Sequence, residues 1–167
     1  MLGVSALFIS ACKTTKSTFF TRSFHKTTTH YNWYFNANET YKRAIQDFEK
    51  GHKEDYNQLL PIFITPSEKE VKSISTQMDR AIKKSATAID KHSILIKGIE
   101  HNSWIDDCYL LIGKSYFYKR EYAKATQAFS FVVRQFDGLE IAYQASLWLT
   151  RTYIDKNDIS SCLCFNY

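Results

Sequence analysis

Glycine and proline are scarce in this chain of 167 residues, which holds only 5 of the first and 2 of the second. The glycines stand too far apart to build a phosphate-cradling loop, and no HExxH or nucleophile-elbow pattern appears. Acid is absent from Cys12 to Ala37, where Lys13, Lys16, Arg22 and Lys26 precede the first carboxylate, Glu39. No apolar run reaches the ~20 residues needed to span a bilayer. The cysteines make no disulfide framework either. Cys12, Cys108, Cys162 and Cys164 are scattered, and the Cys162-Leu163-Cys164 triplet has no second Cys or His pair nearby at zinc-finger spacing.

Apolar and aromatic residues are plentiful: the hydrophobic share is 44%, with 11 Tyr and 12 Phe. With so few helix breakers, this composition disfavours disorder and predicts an all-α chain with large aromatic contacts. The net charge of +5 raises nucleic acid as a partner. Yet Lys69, Lys72, Lys83 and Lys84 are interleaved with Glu68, Glu70, Asp79 and Asp90, so no nucleic-acid contact is expected.

Residues 1–11 are almost wholly small or apolar, the length of an export-signal h-region, and are expected to be a signal peptide. No Lys or Arg precedes them, which points to a true start further upstream. Ile9-Ser10-Ala11-Cys12 resembles the bacterial lipobox, a branched apolar residue and two small ones before a cysteine whose thiolate takes the lipid. Cys12 is thus the expected lipidation site. Residues 12–37 follow as a basic stem and aromatic segment, either touching anionic head groups or acting as a solvated linker. On these residues alone, an ordinary Cys12 in a helix or strand at the N-terminus stays open.

Periodicity places helices in residues 38–100. Asn38 caps, Glu39 suits the positive first turn, and Tyr41, Ala44, Ile45 and Phe48 share a face before Gly51 stops the helix. The connector 55–66 holds both prolines and cannot be one straight helix. After Pro66, Ser67 and Glu70 form a capping box, and Val71, Ile74, Met78, Ile82, Ser85 and Ile89 mark one long amphipathic helix.

Residues 101–158 resemble tetratricopeptide (TPR) repeats, antiparallel helix pairs joined through fixed large and small positions. Ser103 is read as the start of the first helix, with Asp106 three residues on. Tyr109 takes the large position, Ile112 and Gly113 the Leu-Gly pair, and Tyr116 the aromatic that follows. In the second helix Ala125 is the small contact and Phe129 the large one. Gly113 and Ala125 would let two backbones approach while Tyr116 and Phe129 fill the space beside them. Val132 stands where Ala is usual, and Asp137-Gly138 replaces a terminal Pro. Leu149 and Tyr153 repeat Ile112 and Tyr116 at a separation of 37, against a usual period of ~34. The second repeat then lacks its partner helix, so residues 159–167 are expected to be a truncated or non-native tail. The overall expectation is an α-solenoid of helical hairpins.

Taken together, the lipobox, the segment around His25, His30, Tyr31, Asn32, Tyr34, Phe35, Asn36 and Asn38, the "DYNQLLPIF" connector and the repeat resemble the N-terminal region of the gliding-motility and type IX secretion lipoproteins of Bacteroidota, the SprE/PorW kind. The eight residues from His25 to Asn38 carry most of that likeness, since generic repeat proteins lack them. The resemblance implies a lipid-anchored outer-membrane protein that works through protein partners in secretion and gliding. Lys13 and Lys16, standing where surface-exported lipoproteins tend to carry acids, favour the periplasmic face.

An enzyme is not expected. His25 and His30 read as part of a packed aromatic segment, and Asp106-Asp107 as charges suited to a helix start, so no catalytic residue, metal, cofactor or small-molecule substrate is assigned. The alternative to a secretion scaffold is a generic TPR peptide-binding or envelope-assembly lipoprotein, which would not need the segment from Phe24 to Asn38. Lys114, Tyr118 and Arg151 are the residues expected on the exposed side of the repeat, available to a ligand.

Overall fold

The computed structural model describes residues 18–53, 56–57, 60 and 63–157. The fold is all-α. Helix α1 (Phe19–Thr28) runs through a π-helical turn, Thr29–Tyr34, straight into α2 (Phe35–Gly51). Then come α3 (Glu68–His92), a hairpin of β1 (Leu95–Ile96) and β2 (Ile99–Glu100), α4 (Ile105–Tyr118), α5 (Tyr122–Gln135) and α6 (Glu140–Asp155). Each helix from α2 onward packs on the next, and α4 also reaches α6. This neighbour-plus-next-neighbour pattern belongs to stacked helical hairpins and is compatible with a helical-repeat protein.

The capping box starts α3 as its sequence requires. Ser67 Oγ accepts from the Glu70 amide while the Glu70 carboxylate accepts from the Ser67 amide at 2.9 Å. Its inward stripe is Ile74, Met78, Ala81, Ser85, Ala88 and His92, so alanines and a histidine share the face with the larger apolar residues. From that stripe, Ile74 and Met78 join Ala44 and Phe48 of α2 to Leu110, Phe117, Phe129, Val132, Ala145 and Leu149 in one hydrophobic cluster. The core therefore runs unbroken across the boundary at residue 100 that separates the helical region from the repeats in sequence.

Three expectations change. Asn38 lies inside a helix rather than capping one, because the rod begins at Phe19, where Thr18 Oγ1 accepts from the Thr21 amide at 3.3 Å. From residue 18 onward the basic stem is this helix, not a solvated linker; its Thr run tolerates helical geometry because Thr29 is fully buried and donates its hydroxyl to the His25 carbonyl at 2.8 Å. Ser103 does not start α4. The helix begins at Ile105, after a turn in which Asn102 Oδ1 accepts from the Trp104 amide at 3.3 Å.

The hairpin is an addition to the helical reading of residues 38–100. Lys97 and Gly98 have φ of 50° and 82°, the backbone of a two-residue hairpin turn, for which glycine is the residue of least strain. Gln135 Nε2 donates to the Gly98 carbonyl at 2.9 Å and ties the turn to α5. Cys12, the signal segment 1–11 and the tail 159–167, with Cys162 and Cys164, lie outside the described residues.

Candidate functional site: a polar junction and an open helix face

The residues singled out by resemblance divide between interior and surface. His25 is buried on α1, and its Nδ1 stands 2.8 Å from Nδ1 of His92, the last residue of α3. At that distance one imidazole donates and the other accepts, so the pair is held as a hydrogen bond only while it shares a single proton. One turn on, the Thr29 hydroxyl accepts from Asn102 Nδ2 at 2.8 Å, and the same amide donates to the His92 carbonyl at 3.1 Å. Asn102 is fully buried. The Glu100 carboxylate holds the loop above it, accepting from the amides of Ile94 and Asn102, each at 2.8 Å.

The π turn carries His30 onto Trp104, the rings stacked 3.8 Å apart and 8° from parallel, with Tyr34 beside them at 5.3 Å. A single π turn within a longer helix is often found at a functional position. Its outer side presents Tyr31 (64% exposed) and, where α2 begins, Phe35 (53%). Asn32 and Asn36 are exposed too, linked by a 2.7 Å bond from Asn36 Nδ2 to the Asn32 carbonyl, and Asn38 is half-buried. His25, His30 and Tyr34 thus build the junction, while Tyr31, Asn32, Phe35 and Asn36 face outward.

Burial sets the electrostatics here. It holds His92 below the usual histidine range, with the His25 and Lys91 charges adding to the effect. It pushes Asp107 up to about 6, helped by Asp106, and raises the Tyr34 hydroxyl and the Cys108 thiol far above their ordinary values. The cost of taking charge out of water here outweighs the favourable dipole of a helix start. Among the described residues no group of three or more His, Cys, Asp or Glu is arranged to hold a metal ion.

Farther along, α4 and α5 meet through Gly113 and Phe129. A Cβ on Gly113 would fall within 2.9 Å of three carbons of the fully buried Phe129 ring. Ala125 and Val132 are likewise fully buried and Leu149 nearly so. Tyr109, whose ring lies 4.5 Å from Phe131, is partly buried with Tyr116 and Tyr153 against the same cluster, and Ile112 is half-buried.

Lys114, Tyr118 and Arg151 are not the open ligand face expected of them. Tyr118 is buried, and Lys114 is half-buried with its Nζ 5.4 Å from the Trp148 ring. Arg151 sits among Phe63, Phe117, Trp148 and Tyr118, its guanidinium carbon 4.6, 4.8, 5.0 and 5.8 Å from their ring centres. The reason is Trp148, whose indole fills the space between α4 and α6 and gathers these cations over aromatic faces. Trp148 is not among the residues that the sequence singles out, although a tryptophan directly before the inward Leu149, three residues after Ala145, stands at the edge of the buried face.

The open surface lies one step away on α6. Phe63, Leu147, Trp148, Arg151, Ile154 and Asp155 line a cleft of about 640 Å³, at whose edge Thr65 Oγ1 donates to Asp155 Oδ2 at 3.1 Å. Leu147 is 73% exposed, and Tyr143 and Ile154 are also largely exposed. An apolar face with one half-buried cation and one carboxylate suits a protein segment better than a small polar metabolite. Compared with known proteins, the chain matches no family model, and no curated protein matches it.

Proposed function

We propose that this chain is a lipid-anchored helical-repeat scaffold of the tetratricopeptide type, acting through protein contacts in type IX secretion and gliding motility at the periplasmic face of the outer membrane. The observation that carries the protein-contact reading is the outward side of the N-terminal segment, where Tyr31 and Phe35 stand exposed on a helix whose inner side is fixed in the fold. A stacked helical array offers such faces to partners. The secretion role draws its support from the sequence resemblance and from Tyr31, Asn32 and Phe35, which the fold leaves uncovered. The anchor rests on the lipobox at Cys12.

The test is expression in a gliding Bacteroidota host whose own homologous protein is deleted. The expected result is an acylated Cys12 as the first residue of the mature protein, found in the outer-membrane fraction. Cys12→Ala should release it and reduce secretion and spreading. A soluble, unprocessed chain beginning at Met1, with secretion unchanged in the variant, would overturn the reading.

A further inference from the structure

Helix α1 is amphipathic in an unusual sense, with polar groups inside and aromatic groups outside. Its inner face places His25 and Thr29 in the junction, whereas Phe19, Phe20 and Phe24 are 80%, 83% and 63% exposed. Phe19 and Phe20 touch edge to face at 5.9 Å, and Phe24 leans on the His25 ring at 5.5 Å, so most of each ring remains in contact with solvent. Lys26 is exposed on the same helix and Arg22 lies half-buried at its flank. The helix contains no carboxylate, and none follows before Glu39.

Basic residues beside exposed aromatic rings, with no acid among them, are the composition of helices that lie in the interface of an anionic bilayer. A partner protein would have to offer an acidic rim around an apolar patch to match both the three phenylalanines and the exclusion of every acid from this stretch. A surface of phosphate headgroups over acyl chains accounts for both features. We propose that the outer face of α1 is a lipid-surface contact, with Phe19, Phe20 and Phe24 reaching the acyl boundary and Lys26 meeting anionic headgroups.

The contact does not depend on an acyl chain at Cys12, although the two are compatible: Phe19 stands seven positions after Cys12, a reach of at most ~25 Å. Where both act, the acyl chain retains the protein and α1 orients it.

The experiment uses the full chain as Cys12→Ala, which cannot be acylated there, with vesicles of phosphatidylcholine with and without phosphatidylglycerol. Partition should require the anionic lipid and weaken in high salt, because exposed charges are screened. Phe20→Ser with Phe24→Ser should lower it by at least ~10-fold, through lost apolar contact. Lys26→Glu should lower it several-fold at low salt and hardly at all at high salt. Circular dichroism checks that each variant keeps its helices. Failure of the Cys12→Ala chain to bind anionic vesicles, or binding unaffected by the Phe pair, would overturn the inference. So would a Phe pair that converts a dimer to a monomer while vesicle binding stays the same, which assigns the face to a second copy of the chain. None of these failures touches the acylation of Cys12, which is read separately by the mass of the mature N-terminus.

Discussion

The contact between α4 and α5 is apolar, with Gly113 seating the ring of Phe129, whereas at the start of α4 the N-terminal helix is held by His25 to His92, Thr29 to Asn102, and His30 on Trp104. The first region depends on volume: any residues that keep the large and small positions complementary will serve. The second depends on chemical identity and protonation state, because each buried polar group relies on one particular partner and losing that partner leaves the group unsatisfied. A repeat interlock can therefore be built from many residue pairs, while the polar junction needs these particular partners.

The sharpest way to break this contrast is Phe129→Ala. The ring is fully buried, so removing it should cost about 3–5 kcal/mol, seen as a large fall in the thermal midpoint. A midpoint near that of wild type would remove the interlock from the core. Gly113→Ala pits two effects against each other. Helix propensity favours alanine by ~1 kcal/mol, while crowding of the Phe129 ring costs about 1–3 kcal/mol. We expect a net loss of stability, and Gly113→Leu should be worse; a stabilised alanine variant would show that the two helices can separate cheaply.

In the polar region Thr29→Val keeps the shape but leaves Asn102 Nδ2 with one acceptor fewer, at a cost of about 1–3 kcal/mol. A double-mutant cycle with Asn102→Ala should then show strong coupling, and additive losses would contradict the bond between them.

The smallest effect expected is one of pH. Because burial, then His25 and Lys91, hold His92 below its unfolded value, the unfolded chain binds more protons, and this contribution to stability is full above ~6.5 and lost as pH falls. Asp107 acts in the opposite sense: raised to about 6, it contributes most in acid and loses that contribution as pH rises through its native value. Wild type alone mixes the two. The gap in thermal midpoint between wild type and His92→Gln should shrink from neutral to mildly acid pH, and a constant gap would mean that His92 does not titrate in this way.

The apolar region was the more legible in sequence, for the same physical reason that makes it generic. Helical spacing reveals which residues face inward, and the Ser67–Glu70 box and Gly113 announce their roles through residue type alone. The junction was not legible, since nothing local shows that His25 meets His92 or that Asn102 turns inward under the hairpin. A run of threonines reads as a stem until a distant asparagine receives Thr29 on the inner side of a helix. Lys-Gly between branched apolar residues at 94–99 was a readable hairpin signal, obscured by the helical pattern around it. Trp148 had the converse problem: its spacing placed it on a helix, but only the assembled array shows that it draws Lys114 and Arg151 inward.

We propose that the segment from His25 to Asn38 serves two purposes, its inward residues building the fold and its outward ones making a partner contact. The most direct measurement is a paired one on Tyr31→Ala with Phe35→Ala: the thermal midpoint of the purified chain, and spreading and secretion in the deletion host. The expected result is a midpoint close to that of wild type together with lost spreading and secretion. Normal spreading and secretion in the stable double variant would contradict it.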